Sequence, residues 1–162
     1  MIIRQYKEGD AAAVGLLIKN TYSEFNLDFL KPDQLPAYLG PFACADSPSP
    51  EEIIALDQVI RSEIVLLVDD SSRIVGVLRG RMERLGSLFV AKTHHNRGIG
   101  RTLVESFENH IRDHGGGILR VASSIYAVPF YLKMGYKRST GIRNSWSFGG
   151  YVLPIQPMRK VL

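Results

Sequence analysis

The feature that most constrains this chain is a glycine-bearing segment, His95 to Arg101, between an apolar strand and an amphipathic helix. The strand is predicted over Leu85 to Ala91. The helix is predicted after Gly100 and ends at three glycines, because apolar residues recur at helical spacing at Leu103, Val104, Phe107 and Ile111. Glycines at such a junction let backbone N–H groups face an anion, which the helix dipole also favours. The segment is a candidate phosphate loop, although a plain strand-to-helix turn has the same pattern.

Two common phosphate-binding loops do not match this segment. A dinucleotide fingerprint requires a third glycine where Leu103 stands, and a Walker loop requires Gly-Lys-Ser or Gly-Lys-Thr. Neither a dinucleotide nor a nucleoside triphosphate is therefore the expected ligand.

The rest of the chain alternates strands and helices over 162 residues, the size of one ordinary domain. Asp10 and Ser49 are the predicted helix N-caps. Strands are predicted at residues 2–6, 64–68, 74–78, 118–122 and 151–155, and helices at about 10–25, 49–61 and 127–134. Residues 26–49, which carry four prolines, are predicted to be a loop with one short helical turn. We expect one mixed α/β domain spanning residues 1–162.

Cysteine content and hydropathy exclude several classes of site. Cys44 is the single cysteine, so neither an internal disulfide nor a cysteine-rich metal site is expected. No apolar run reaches the roughly 18 to 20 residues of a membrane span, and the first residues lack the pattern of a signal peptide. These features predict a soluble, cytoplasmic protein that binds no metal.

The charge of +4 and the pI near 9.3 favour an anionic partner, which includes nucleic acid, a membrane surface and a phosphate-bearing cofactor. Lysine and arginine are dispersed along the chain, and the tightest group, Arg79, Arg81 and Arg84, is interrupted by other residues. This spacing predicts a solvated strand face rather than a binding patch. Neither nucleic acid nor a membrane is therefore expected as a partner.

Two segments in order carry a resemblance to a known family. The first runs from Leu88-Phe89-Val90 through Gly98-Ile99-Gly100, and the second runs from Ser124 to Tyr136 with Ala127, Phe130, Tyr131 and Gly135 in its pattern. Both are similar to the signatures of the GNAT superfamily of acetyl-CoA dependent N-acetyltransferases. The resemblance implies a GNAT-type α/β (α+β) domain, with a mixed, mostly antiparallel twisted sheet flanked by helices.

The resemblance also implies acetyl-CoA as cosubstrate and assigns residues to it. The strand at residues 88–90 would present main-chain groups to the pantetheine arm, with an N–H near Phe89 or Val90 facing the thioester oxygen. Amides of residues 96–101 would hold the pyrophosphate. The implied cofactor-binding residues are Leu88, Phe89, Val90, His95, Asn96, Arg97, Gly98, Ile99, Gly100, Arg101, Ser124 and Tyr131.

Tyr131 occupies the position from which the family's tyrosine donates a proton to the departing thiolate, although its pattern also fits a core aromatic. The chain departs from the family in three places. His95 replaces Gln or Arg, Ser124 replaces Asn, and residues 84–104 contain no Asp or Glu to act as the usual strand base. Glu83, the nearest carboxylate, is the candidate base, and His94 or a water chain are the alternatives.

The predicted function is direct transfer of an acetyl group from acetyl-CoA to an amine of a small molecule or peptide. The missing strand carboxylate motivates an alternative, a non-catalytic CoA-binding or regulatory module. Acceptor specificity is expected in residues 22–38 and 139–150, where Trp146 and Phe148 either line an apolar pocket or plug the end of the sheet. The sequence leaves open whether the chain forms a homodimer.

Overall fold

A computed structural model describes residues 1–162 as one mixed α/β fold with eight strands and five α-helices. The strands are β1 (Ile2–Gln5), β2 (Ile64–Asp70), β3 (Arg73–Arg81), β4 (Arg84–Val90), β5 (Ile118–Ser124), β6 (Lys137–Arg138), β7 (Arg143–Trp146) and β8 (Val152–Val161). The helices are α1 (Ala11–Phe25), α2 (Leu35–Leu39), α3 (Pro50–Ile60), α4 (Ile99–Asp113) and α5 (Val128–Lys133). None of these helices combines the length and hydropathy needed to cross a membrane.

The strands form one open sheet in the order β1-β2-β3-β4-β5-β8-β6, with β7 also paired to β8. Every pairing is antiparallel except the one between β4 and β5. Helices α4 and α5 pack on one face of the sheet around Phe107, and α1 and α3 pack on the other around Leu56. The predicted fold class, a mostly antiparallel sheet flanked by helices, is confirmed.

The parallel pairing of β4 and β5 stops almost as soon as it begins. Only Arg84 with Arg120 and Leu85 with Val121 are paired, after which the two strands separate. Gly86 follows the last pair and is an extra residue in β4, because Arg79 pairs with Ser87 while Gly80 pairs with Leu85. Such a bulge bends the strand that carries it. The sheet therefore opens into a cleft beyond Gly86.

The last third of the chain holds more strand than the sequence predicted. Strand β8 runs ten residues to Val161, through Pro154 and Pro157, whereas the prediction ended at Ile155. Proline cannot donate to a ladder, so residue type alone does not predict a central strand through these positions. The short strands β6 and β7 were not predicted, and residues 26–49 contain α2 and a 3-10 helix, which is more helix than the one short turn expected there.

The predicted capping role of Asp10 is wrong, whereas that of Ser49 is confirmed. Ser49 accepts a hydrogen bond from the backbone N–H of Glu52, and the Glu52 side chain accepts one in return. Asp10 has no side-chain bond to the first turn of α1. Its carboxylate instead accepts hydrogen bonds from the Arg4 guanidinium at 2.7 and 2.8 Å and from the Lys7 N–H at 2.8 Å. Asp10 therefore fastens β1 to the segment that enters α1.

Replacing Asp10 by Ala is expected to lower the free energy of unfolding by about 1 to 3 kcal/mol at neutral pH, because the carboxylate is mostly buried and accepts charged hydrogen bonds. Hydrogen bonding from Arg4 lowers the pKa of Asp10. The stabilisation is therefore fully present above the unfolded-state pKa of about 4 and is lost as the pH falls through the lower pKa of the folded state. Urea denaturation at several pH values measures both effects, and the exposed Asp33→Ala is the control. Equal stability of the two variants would contradict this role.

Candidate functional site

A cleft of about 1140 Å³ opens where β4 and β5 separate. Its walls come from β4, β5, the N-terminus of α4, helix α5, the end of α1 and the β7–β8 hairpin. All of the residues predicted to bind the cofactor line it except Arg97. The structure thus brings two segments, distant in sequence, to one cavity.

One edge of the cleft is the free side of β4. The Ala91 N–H donates to the Val75 carbonyl on β3 at 2.8 Å. Backbone groups alternate sides along an antiparallel strand, so Phe89 also bonds to β3, whereas Leu88 and Val90 point their backbone groups toward the cleft. Of the two residues that the resemblance implies, Val90 therefore has an N–H on the cleft side and Phe89 does not, and Leu88 adds a second free N–H.

The loop that leads into α4 holds a run of unpaired donors. None of the backbone N–H groups from Asn96 to Arg101 donates to a protein acceptor. Asn96 and Gly98 have positive φ values of 61° and 80°, and Gly98 is the N-cap of α4. Successive free amides at the start of a 15-residue helix form a concave donor surface for an anion. The backbone geometry of a phosphate loop is present.

His95 does not extend toward this loop. Its Nε2 donates to the Val90 carbonyl at 2.8 Å, and its ring packs against Phe25 with centroids 4.9 Å apart. Tyr126 stacks on the same Phe25 ring at 5.2 Å. His95, which the resemblance implies as a cofactor-binding residue, thus lines the cleft with its ring held by Phe25 and Val90 rather than directed at the loop. Phe25 and Tyr126 also line the cleft. Sequence analysis did not identify either as a site residue, and Phe25 simply continues the apolar stripe of α1.

The two arginines of the loop, Arg97 and Arg101, differ in their position relative to the cleft. Arg101 lines the cleft and lies 3.6 Å from Glu105, one turn along α4. Arg97 is exposed and does not line the cleft. Ser124 lines it from the end of β5. Arg101, rather than Arg97, is therefore placed to meet a ligand held by the loop.

Tyr131 lies on α5, is only 4% exposed as a residue, and lines the cleft. Its ring packs against Phe130 and Tyr136, with centroids 5.1 and 5.4 Å away. No protein group forms a hydrogen bond with its hydroxyl, which is not among the fully enclosed unpaired atoms. Burial raises the pKa of Tyr131, so the phenol stays protonated at neutral pH. The site contains a proton donor with no competing partner.

The structure does not bring the predicted base into the cleft. Glu83 lies in the β3–β4 turn, where its side chain is 80% exposed and 3.7 Å from Arg120. His94 does line the cleft, with Nε2 3.3 Å from an Asp70 oxygen. The one carboxylate that lines the cleft is Asp28, in the exposed loop after α1.

Two arginines line the part of the cleft beneath α3. The Arg79 guanidinium donates to the Ile60 carbonyl at 2.8 Å and the Val59 carbonyl at 2.5 Å, and no carboxylate lies within 4 Å of it. Burial lowers its pKa. Arg79 is therefore not the solvated residue that the sequence predicted, because it binds the C-terminus of α3. Arg84 is exposed and also lines the cleft.

Phe148 combines the two roles that the sequence left open as alternatives, lining a pocket and packing at the end of the sheet. It packs against Tyr22 and Phe42, at centroid distances of 5.0 and 4.7 Å, and also lines the cleft. Trp146 is 72% exposed at the mouth. Gly149 fits because a Cβ there would overlap the Ala37 carbonyl, and its N–H donates to the Tyr38 carbonyl at 2.9 Å. Phe148 therefore both lines the cavity and anchors the β7–β8 hairpin on the helical layer.

Comparison with known proteins gives one family match and one curated relative. The model of the "Acetyltransferase (GNAT) domain" matches residues 46–162. The uncharacterised N-acetyltransferase YjcF of Bacillus subtilis (strain 168) is 31% identical over 94 residues. That alignment covers 56% of this chain and 65% of YjcF, so the chain matches just under two thirds of the relative's length.

Solved structures share the whole fold at low sequence identity. A GCN5-related N-acetyltransferase from Rhodopseudomonas palustris superposes with a TM-score of 0.78 at 22% identity, covering 99% of this chain and 95% of the other. The PaiA N-acetyltransferase of Thermoplasma acidophilum, in complex with coenzyme A, gives 0.67 at 14% identity, with 99% and 98% covered. YncA from Salmonella typhimurium, with acetyl-CoA, gives 0.62 at 16% identity, with 100% and 94% covered.

Proposed function

The chain belongs to the GNAT acetyltransferase family, and from that premise we propose that it transfers the acetyl group of acetyl-CoA directly to an amine. The observation that carries the proposal is the cleft itself. Three features meet in one cavity. They are the free backbone edge of β4, the N–H groups of residues 96–101 that donate to no protein acceptor, and the Tyr131 hydroxyl, which has no hydrogen-bond partner. Each of these groups suits a different part of acetyl-CoA.

The residues present fit that cosubstrate. Its pantetheine arm carries amides that pair with a strand edge, and the backbone groups of Leu88 and the N–H of Val90 supply that edge, since the Val90 carbonyl already accepts from His95. Its pyrophosphate is an anion, for which the amides of residues 96–101 and Arg101 supply donors. In our proposal Gly98 and Gly100 keep side chains out of this path, and Phe25, His95 and Tyr126 form a wall of the cleft.

Acetyl-CoA supplies an activated carbonyl: the amine nitrogen bonds to its carbon, the carbon–sulfur bond breaks, and coenzyme A leaves as the thiol. A free N–H of β4, on Leu88 or Val90, donates to the carbonyl oxygen as negative charge develops there. Tyr131 gives its phenolic proton to the departing sulfur and regains one from solvent. Its raised pKa keeps that proton in place between turnovers.

The amine must lose a proton before or during attack, and the cleft provides no buried carboxylate to accept it. Arg79 and Arg84 contribute instead through their charge. A cation close to an ammonium group lowers the pKa of that ammonium, which increases the fraction of neutral amine. The proton then passes to water in the open cleft, and Glu83 has no part in the reaction.

One observation favours a second candidate, the non-catalytic CoA-binding or regulatory module. Asp28, the single carboxylate of the cleft, lies on an exposed loop and not on β4 or β5. A module of this kind binds the cofactor without transferring its acetyl group, so binding and turnover separate the two candidates.

The test is thiol release from acetyl-CoA with a panel of amines, alongside calorimetric titration of acetyl-CoA. The panel contains peptides with free N-termini, lysine derivatives, polyamines and small primary amines. We expect amine-dependent thiol release and an acetylated product by mass spectrometry. Tight cofactor binding without turnover on any amine would favour the module, and absence of cofactor binding would contradict both candidates.

A further inference from the structure

Five basic residues that are scattered in the sequence form one row across the sheet. The strand register pairs Arg81 with Arg84, Arg84 with Arg120, Arg120 with Arg159, and Arg159 with Lys137. Directly paired residues point to the same face of a sheet. The row therefore crosses β3, β4, β5, β8 and β6 on one face, over about 19 Å at the usual strand spacing of about 4.8 Å. We call these five residues the cationic row.

The face that carries the cationic row is open. The neighbouring residues Leu85, Leu119 and Met158 point the other way, into the core beneath α4. All five side chains of the row are exposed. Only Arg120 has an acidic partner, Glu83, at 3.7 Å, and the other four have none within 4 Å. Four positive charges of the row are thus left uncompensated.

Repulsion within the cationic row lowers the free energy of unfolding of the protein when no ligand is bound. Like charges on directly opposed residues of neighbouring strands repel one another, and here four consecutive pairings are cationic. Residues that lower stability in this way are typical of functional surfaces, where a bound ligand compensates for their repulsion. Arginine dominates the row, and its planar fork suits carboxylate groups.

The row leads into the proposed active cleft. Arg84 belongs to the row and also lines the cleft, where Arg79 adds a further cation without a carboxylate partner. A partner bound along the row therefore reaches the cavity at Arg84.

We propose that the acceptor is an acidic polypeptide segment, whose carboxylates bind the cationic row while its amine enters the cleft at Arg84. This inference rests on the proposed acetyl transfer. That reaction needs a nucleophilic amine, and this need distinguishes between the kinds of polyanion that could bind the row. Polypeptides carry nucleophilic alkyl amines at the N-terminus and on lysine, whereas the amino groups of nucleic acid bases are weak nucleophiles. The exposed face also lacks aromatic residues within the row on which bases would stack.

The experiment compares three peptides of equal length, in which a free N-terminus is followed by four glutamates, four glutamines or four lysines. At low ionic strength we expect kcat/KM for the glutamate peptide to exceed that for the glutamine peptide by about 10-fold, with the lysine peptide the poorest substrate. The preference is expected to shrink as salt screens the exposed charges.

A variant with Arg120→Gln, Arg159→Gln and Lys137→Gln tests the row, because none of the three residues lines the cleft. We expect it to lose the preference through a higher KM for the glutamate peptide, with kcat unchanged. The control variant removes three exposed cations away from the row, Lys7→Gln, Lys31→Gln and Arg73→Gln, and retains the preference. Equal kcat/KM for the glutamate and glutamine peptides would overturn the proposal while leaving acetyl transfer intact.

Direct binding keeps the test decisive if no peptide is acetylated, an outcome that would count against the proposed function instead. Fluorescence anisotropy with a C-terminally labelled glutamate peptide is expected to show binding that the row variant weakens about 10-fold and the control variant does not. Equal affinity of the parent and the row variant for this peptide would show that the cationic row is not its binding surface. Tighter binding of a single-stranded oligonucleotide than of the glutamate peptide would overturn the choice of partner.

Discussion

Tyr131→Phe is expected to bind acetyl-CoA almost as the parent does and to turn over about 100-fold more slowly. Loss of one positioned proton donor costs about 100- to 10,000-fold in rate. The lower end applies because the coenzyme A thiol is moderately acidic, and its thiolate leaves with less assistance than an alkoxide. The ring and its contacts with Phe130 and Tyr136 remain in the variant, so the fold and the cleft persist.

The chain provides a matched control five residues away, just beyond the end of α5. Tyr136 is 1% exposed, packs against Tyr131 and does not line the cleft. Tyr136→Phe removes the same chemical group from the same aromatic cluster, and we expect turnover within about twofold of the parent. The measurement is a single-turnover rate with an accepted amine, alongside calorimetry and a thermal melt. If both variants react at the parental rate in the chemical step, Tyr131 is a packing residue and the acid lies elsewhere.

The sequence identified the two segments that form the cleft because both depend on local patterns. A glycine-bearing junction before an amphipathic helix can be read from residue types alone, and free amides lie at that junction in the structure. Tyr131 lies in a short segment whose spacing resembles a known signature. Helices α1, α3 and α4 were predicted from apolar periodicity and capping, with the cap of α1 assigned to the wrong interaction.

The features that the sequence did not predict depend on contacts between distant segments. His95 bonds to Val90 and packs against Phe25, 70 positions away, so its role could not be inferred from the loop. The cationic row exists only through the register of five strands. Proline in β8 masked the strand that joins Arg120 to Lys137 through Arg159. Pairing register, rather than residue type, determines which charges become neighbours.

Gly100→Val is expected to weaken acetyl-CoA binding by about 100-fold or more. A Cβ on Gly100 would lie 3.4 Å from the Phe130 ring and 3.8 Å from Leu88 Cδ2, in the space between β4 and α5 that the proposed cofactor path occupies. The two methyl groups of valine extend further into that space and displace an anion from the loop amides. Losing two hydrogen bonds to a charged group costs about 3 to 6 kcal/mol, and every 1.4 kcal/mol is about tenfold in affinity.

The control variant, Gly117→Val, introduces the same valine side chain at a position with no neighbouring atoms. Gly117 is exposed, and a Cβ there would meet no atom within 4 Å, so Gly117→Val adds equal bulk far from the cleft. Gly100 lies in the first turn of α4 and its φ is not positive, so valine fits its backbone without strain and the melting temperature is expected to change by only a few degrees. Calorimetric titration of acetyl-CoA into both variants measures the effect. Parental affinity in a folded Gly100→Val protein would show that the cofactor does not pass between β4 and α5, and the assignment of residues 96–101 as its phosphate loop would then fail.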